Sequence, residues 1–405
     1  MTTNLRTPAL LALLAVSSLS LGAQSPTKPR ARDLGLSDKI GGTAGAFDAI
    51  TDVAGVEVGH TTLISGSGKL IVGQGPVRTG VTVVHPRGKS NPDPVMGAWF
   101  ALNGNGEMTG TTWLQESGFL EGPIAITNTH SVGVVRDAIL QWQVKRPGLQ
   151  PWGLPVVAET FDGSLNDING FHVTAAHTIA ALDGAKGGPV QEGAVGGGTG
   201  MVCHGFKGGI GTASRKITVA GRGYTVGVLV QCNYGQRREL RVAGVPVGEE
   251  ITDLVRCNAS TDPSVASNAQ RCGAPHPGGE DDGAGSIIIV VATDAPLLPH
   301  QLKRLVTRAA LGVGRMGGKG ENSSGDIFVA FSTANAHAAA DTGVAHVDMV
   351  PNASINPLFT ATVQATEEAI LNALLAAETM TGANDTRVYA LPVDRLMAIM
   401  KRYGR

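Results

Sequence analysis

Gly283-Ala284-Gly285-Ser286-Ile287-Ile288-Ile289-Val290-Val291-Ala292-Thr293-Asp294 joins three small residues to a continuous, largely β-branched run. Such a run, bounded by turn residues, predicts a strand buried on both faces. Ser286 stands at its mouth, held by the strand behind it and approached through flexible glycine in front. This placement suits a hydroxyl that attacks the carbonyl of the Gly285–Ser286 bond itself. Cleavage there makes Ser286 an N-terminus, with an α-amine beside its own hydroxyl. An α-amine ordinarily titrates near pH 8, so one residue then supplies both nucleophile and base. Taken alone, Gly-Ser is also ordinary loop-to-strand punctuation, so the rest of the chain has to decide.

The chain has 405 residues, 42% hydrophobic and 16% charged, with a formal net charge of −1. These values describe a globular protein with a large core, and no basic stripe points to a nucleic-acid partner. Its 56 glycines are about twice the usual share of roughly 7%. They fall in short clusters between apolar runs, which predicts tight turns and close backbone approaches. Arg6, the apolar stretch Pro8 to Val16 and the small residues up to Ala23 predict a secretory signal peptide over residues 1–23. That places the protein in a periplasm or outside the cell. No later stretch is long and apolar enough for a span, so no membrane contact is expected once the signal is removed. Export permits disulfides. Cys257 and Cys272 bracket a polar segment and suggest a local bridge, while Cys203 and Cys232 either pair or sit buried.

Residues 24–49 form a polar lead-in, with the Pro/Arg-rich stretch Ser25 to Arg32 expected to be mobile, and residues 50–405 form a single domain. Strand patterns recur at Val53 to His60, Gly80 to Pro86, Pro94 to Leu102, Pro123 to Thr129, Pro155 to Thr160, Gly208 to Ser214, Tyr224 to Asn233 and Asp326 to Thr333. Helical spacing covers Val132 to Val144, Gly170 to Leu182, Pro299 to Leu311, Gln364 to Thr379 and Val393 to Tyr403. Gly248 to Gly285 is polar and rich in Pro and Gly, and is expected to be a long exposed linker. Sheets in layers with helices outside fit this order.

Several motifs fail. Gly312-Val313-Gly314-Arg315-Met316-Gly317 follows a helix instead of a strand, so it is no dinucleotide fingerprint. Gly317-Gly318-Lys319-Gly320 lacks the Ser/Thr of a phosphate loop. His276 with Glu280, Asp281 and Asp282 reads as a solvated acidic linker more readily than as a metal site. Zincin and α/β-hydrolase signatures are absent, and neither metal nor organic cofactor is expected.

Polar residues do stand where apolar runs end. Asn233 closes Val228 to Cys232, where its amide can donate to an oxyanion. Ser324 and Asp326 open the run Ile327 to Phe331, spaced to face the same way. Glu159 follows Val156-Val157-Ala158, and a charge at the end of a buried run needs a partner, such as a substrate ammonium or a structural ion pair.

These blocks together resemble the self-processing L-aminopeptidase/D-Ala-esterase and β-peptidyl aminopeptidase family. The likeness rests on Ser286 with its strand and the sequel Ala292 to Arg304, on Ala158-Glu159-Thr160-Phe161-Asp162-Gly163, Leu165-Asn166-Asp167-Ile168, Gly208 to Arg215 and Gly325 to Thr333. It covers nearly all of the chain from Ile50. The resemblance implies an α+β fold, a four-layer αββα sandwich of two packed sheets. It implies autocatalytic cleavage at Gly285/Ser286 into chains 24–285 and 286–405, and a homo-oligomer, tetramer or larger. It implies Ser286 as nucleophile, Asn233 for the oxyanion, Ser324 assisting the nucleophile and Glu159 holding the free amine of a small peptide, amide or ester substrate. Two positions depart from it. Asp326 stands where some members carry glutamate, and the substrate-site residue Phe161 where some carry tyrosine. The other readings are an acyltransferase of the ornithine acetyltransferase type, disfavoured by the serine and the signal peptide, and an inactive exported binding protein.

Overall fold

The computed structural model describes residues 28–146, 148, 152–265, 269–274 and 285–405. The expected signal peptide and the stretch with His276, Glu280, Asp281 and Asp282 lie outside the described residues. The apolar runs become strands β1 (Glu57–Ser65), β2 (Val77–His85), β3 (Val95–Ala101), β4 (Phe119–Leu120), β5 (Ile124–Asn128), β6 (Val156–Thr160), β7 (Gly209–Val219), β8 (Arg222–Asn233), β9 (Ser286–Thr293) and β10 (Ile327–Ser332). Among the described residues they build a four-stranded sheet in the order β1-β2-β5-β6 and a six-stranded sheet in the order β4-β3-β10-β9-β8-β7. The principal helices are α1 (Thr111–Ser117), α2 (Val132–Gln143), α3 (Ala175–Gly184), α4 (Pro299–Thr307), α5 (Ala309–Arg315), α6 (Asn356–Ala376) and α7 (Val393–Arg402).

Three apolar interfaces hold these elements in four layers. Between the sheets, Val58, Val84, Ile126 and Ala158 meet Leu229, Ile288, Val290 and Val329. Outside the four-stranded sheet, Val135, Ile139 and Leu182 of α2 and α3 cover Val81, Val83 and Ala125. Outside the six-stranded sheet, Leu302, Leu305, Val313, Leu371 and Leu374 of α4, α5 and α6 cover Val230, Ile289, Val291 and Phe328. The fold is an αββα sandwich. Strand β9 shows why its sequence is apolar without alternation: even-numbered side chains enter the inter-sheet layer and odd-numbered ones the helix layer. It pairs antiparallel with β8, from Asn233↔Ser286 to Val226↔Thr293, and parallel with β10 from Ile288↔Ile327 onward.

Local structure departs from expectation in five places. The helix expected from Gly170 begins only at Ala175, because Phe171 takes a left-handed backbone, φ 51°, which a right-handed helix cannot continue through. The helix expected over Pro299 to Leu311 is two helices, α4 and α5, and α6 starts at Asn356, eight residues before the expected Gln364, with a proline in its first turn.

The lead-in, from its first described residues, is anchored instead of mobile. Arg30 Nε donates to Glu192 Oε2 at 2.7 Å and a second guanidinium nitrogen to the Thr212 carbonyl at 2.8 Å, while Ala31, Leu36 and Ile40 join the core. Arg215 adds a buried ion pair with Glu368 and sits 3.7 Å from Asp48. Burial, then the Glu368 charge, push the Asp48 carboxyl up to about 7, against the pull of Arg30 and Arg215.

The supposed linker also packs: Val247, Ile251 and Cys257 are buried, and Cys257–Asn258 pairs with the strand Thr386–Val388. Disulfides join Cys257 to Cys272 and Cys203 to Cys232.

Sheet and helix approach most closely at Gly211 of β7, where a Cβ would lie 2.0 Å from the Ala369 carbonyl oxygen and 2.6 Å from the Ala373 nitrogen. Neither backbone atom can move without shifting α6. Gly211→Ala is therefore expected to reduce unfolding stability by about 1–3 kcal/mol, measured by urea titration. An unchanged midpoint would mean that the helix is free to ride outward.

Candidate active site

A strand buried along its length can present a polar group only at its ends. Ser286, the first residue of β9, is 6% exposed, and its Oγ accepts a hydrogen bond from the Gly325 N–H at 3.0 Å. That amide reaches the serine because Gly325 lies against the loop after β3. A Cβ on Gly325 would sit 2.4 Å from the Asn105 carbonyl oxygen and 2.6 Å from Gly106 Cα. Only glycine fits there. Gly285 is similarly confined, since a Cβ on it would lie 1.8 Å from the Asn233 carbonyl oxygen and 3.3 Å from Asn233 Nδ2. The Gly285–Ser286 peptide thus runs beside the Asn233 side chain.

Asn233 is register partner to Ser286 across the β8–β9 ladder. Its Oδ1 accepts the Val202 N–H at 2.7 Å and its Nδ2 donates to the Phe161 carbonyl at 3.0 Å, which fixes the amide's orientation. The Cys203–Cys232 disulfide secures the same two segments, one residue after Val202 and one before Asn233. Phe161 contributes its carbonyl inward and leaves its ring half exposed at the rim.

Ser324 and Asp326 come close to the serine without touching its side chain. Ser324 Oγ donates to Asp326 Oδ1 at 2.6 Å, and the same oxygen accepts the Ile287 N–H at 3.2 Å. The Asp326 N–H in turn donates to Asn103 Oδ1 at 2.6 Å. Burial pushes the Asp326 carboxyl up to about 6, although the Ser324 and Ile287 hydrogen bonds pull the other way.

Glu159, the penultimate residue of β6, faces this cluster from the opposite sheet. Its Oε1 accepts the Glu107 N–H at 3.0 Å and its Oε2 the Thr129 hydroxyl at 2.5 Å. Burial raises its proton affinity above that of an ordinary glutamate, and the neighbouring Glu107 charge raises it further against those hydrogen bonds. Among the described residues no lysine, arginine or histidine forms an ion pair with it. A buried carboxylate lacking a cation is suited to receive one.

The match to peptidase family S58 runs over residues 48–388. The chain belongs to this family. It is 56% identical over 405 residues to the beta-peptidyl aminopeptidase BapA of Sphingosinicella microcystinivorans, covering 99% of this chain and 98% of that one. Among solved structures, the l-aminopeptidase d-ala-esterase/amidase of Ochrobactrum anthropi superposes with a TM-score of 0.82 at 45% identity, over 93% of this chain and 99% of that one. It is described as a prototype serine aminopeptidase and a variant of the Ntn-hydrolase fold. A Burkholderia sp. beta-aminopeptidase gives 0.80 at 47% identity, with the same two coverages. The S58 chain described here is accordingly a hydrolase of the aminopeptidase type, and its fold is of the Ntn-hydrolase kind.

The structure brings Ser286, Gly285, Asn233, Phe161, Ser324, Asp326 and Glu159 to one end of the sandwich. It adds Gly325, Asn103, Thr129 and the Glu107 N–H, which were not expected from sequence. Asn103 and Thr129 each stand just past an apolar strand, the same signal that marked Asn233. No group of His, Cys, Asp or Glu among the described residues is arranged to hold a metal ion.

The perturbed Asp326 has a consequence for stability. Its affinity for a proton is higher folded than unfolded, so the stability it contributes is fully present below pH 4 and is lost as pH rises through about 6. Asp326→Asn, which is never ionised, should be the more stable form at pH 8 by about 1–3 kcal/mol. That advantage should fade below pH 4 in paired denaturant titrations, and a wild type that is more stable at pH 8 would contradict the burial account.

Proposed function

We propose that this S58 enzyme is exported, cuts its own backbone between Gly285 and Ser286, and then hydrolyses N-terminal residues through a serine acyl-enzyme. What carries the proposal is the set of groups around one hydroxyl: the Gly325 N–H on Ser286 Oγ, the Asn233 amide beside the Gly285 peptide, and Asp326 on the next peptide N–H. In the cut, Ser286 Oγ adds to the Gly285 carbonyl carbon, the C–N bond breaks, and the hydroxyl proton passes to the departing amine. Water then hydrolyses the Gly285 ester, leaving a carboxylate on residues 24–285 and a free α-amine on residues 286–405. No α-amine exists before this event, so Asp326, whose Oδ1 accepts the N–H of the next peptide, is the nearest carboxylate to act as proton acceptor.

In turnover the Ser286 α-amine takes the Oγ proton as the oxygen adds to the substrate carbonyl. The amine hands that proton to the leaving group, and water releases the acyl-enzyme. Asn233 Nδ2 and backbone N–H groups stabilise the oxyanion. Glu159 holds the substrate's ammonium, which selects peptides, amides and esters with a free N-terminus. The BapA relative's name and its 56% identity support N-terminal β-amino acid residues as substrates. The Phe161 ring lies at the rim, where it can line the side-chain subsite. The apolar residues up to Val16 support export of the chain across a membrane. Val344, Val347 and Met349 stand exposed close together in sequence, apolar surface that a second copy of the chain would cover in a tetramer or larger assembly.

Two measurements test the proposal. Intact mass of purified wild-type protein should show a chain running from Ser286 to Arg405, whereas Ser286→Ala should remain one chain and release no p-nitroaniline from β-aminoacyl p-nitroanilides; turnover by that variant would exclude the mechanism. Glu159→Gln should still process but lose about 30-fold or more in kcat/KM, and wild-type enzyme should discriminate at least as strongly against the N-acetylated substrate. Equal rates on blocked and free substrates would remove Glu159 from the amine site.

A further inference from the structure

Lys207 is a fully buried lysine that neither the sheets nor the proposed chemistry accounts for. It lies just ahead of β7, as register partner of Val202. Among the described residues it forms no ion pair. Its Nζ is spent on main-chain oxygens instead. It donates to the Met201 carbonyl at 2.9 Å and the Gly208 carbonyl at 2.8 Å, and more weakly to that of Gly198 at 3.4 Å. An amine taken out of water is costly unless hydrogen bonds compensate it, and those bonds then fix whatever they touch. Burial lowers its proton affinity to about 7, and the amine has N–H bonds to give whether or not it carries the charge. What it fixes is one peptide group. The Met201 carbonyl accepts Lys207 Nζ together with the Gly208 N–H at 2.9 Å, and the N–H of the same Met201–Val202 peptide donates to Asn233 Oδ1 at 2.7 Å. A single planar peptide thus links the lysine to the Asn233 side chain.

We propose that Lys207 is a positioning residue that acts through Asn233: it locks the Met201–Val202 peptide, whose N–H holds Asn233 Oδ1 and so keeps Nδ2 turned toward the oxyanion. The inference rests on Asn233 as the oxyanion donor in the reading above. An asparagine side chain has an accepting end and a donating end of nearly the same shape, so only its partners decide which faces the reacting carbonyl. Turned the wrong way, it would set an oxygen against the developing negative charge. The ladder to Ser286 fixes the main chain of Asn233 but not this choice. The Val202 N–H claims the oxygen end, and the Phe161 carbonyl takes one of the two Nδ2 protons, which leaves the other to give. A peptide whose carbonyl accepts strong donors is also a better donor through its own N–H, so the lysine tightens the hold on Asn233 Oδ1.

The test is steady-state turnover of a β-aminoacyl p-nitroanilide at one pH by processed enzyme, checked by intact mass. Wild type, Lys207→Met and Lys207→Gln are compared, each also in an Asn233→Ala background. Losing an oxyanion donor outright costs about 100- to 1,000-fold in kcat, so misaiming one should cost Lys207→Met about 10-fold. KM should stay within about twofold, since Glu159 and not Lys207 holds the substrate. Lys207→Gln, which keeps an N–H for the Met201 carbonyl, should recover part of the loss. In the Asn233→Ala background Lys207→Met should cost nothing further in kcat, a coupling that a residue serving stability alone would not show. An unchanged kcat in Lys207→Met overturns the inference, and so does a loss repeated in full without the Asn233 amide. If Asn233→Ala is not processed, the kcat and KM of the single variants decide. If Lys207→Met does not fold, Lys207→Gln decides: about a threefold loss in kcat at unchanged KM upholds the inference, and wild-type kcat overturns it. Each of these results leaves the serine nucleophile standing, because that is tested separately by Ser286→Ala.

Discussion

Strand β9 is buried on both faces from end to end, and this constraint orders the active end of the molecule. Every side chain from Ile287 to Ala292 is committed to one apolar layer or the other, so reactive chemistry can enter only where the strand begins. The antiparallel neighbour β8 ends there, the parallel neighbour β10 starts there, and the loop after β3 arrives from two strands away. The opposite sheet contributes the end of β6. Polar groups with no place in the layers therefore collect in one spot, within reach of Ser286.

Close packing does as much there as polarity. Gly285 and Gly325 let backbones pass at distances no side chain would allow. Their approach puts a main-chain N–H on the serine oxygen and the Asn233 amide beside the Gly285–Ser286 peptide. A main-chain donor held by sheet and loop needs little reorganisation when charge develops, which is where such donors are most effective. The acids are treated unequally. Asp326 is compensated by a hydroxyl and an amide yet still kept basic, while Glu159 accepts two hydrogen bonds and, among the described residues, forms no ion pair.

Much of this was legible in the sequence where a local rule applies. Ile287 to Val291 could be nothing but an interior strand, and Asn233, Ser324, Asp326 and Glu159 stood out as polar residues at the ends of apolar runs. Their gathering was not visible from spacing, since Glu159 and Ser286 lie in different sheets; it came from the resemblance of whole blocks to a known family. Asn103 obeyed the same end-of-strand rule, two residues past the last residue of its strand. The lead-in was misjudged. Arg30 looks like a solvated charge until Glu192 and the Thr212 carbonyl, far along the chain, are brought to it. Composition describes a segment's preference for water, not the partners that override it.

The strand order carries one more consequence. Strands β9 and β10 both follow Ser286 in the chain, yet they are stitched between β3 and β8, which precede it. Both disulfides lie wholly upstream of that serine. A break at the junction would therefore yield two polypeptides interleaved like the fingers of clasped hands, with no covalent tie between them. They would separate under denaturant without any reductant, and neither could leave the other without dismantling the central sheet.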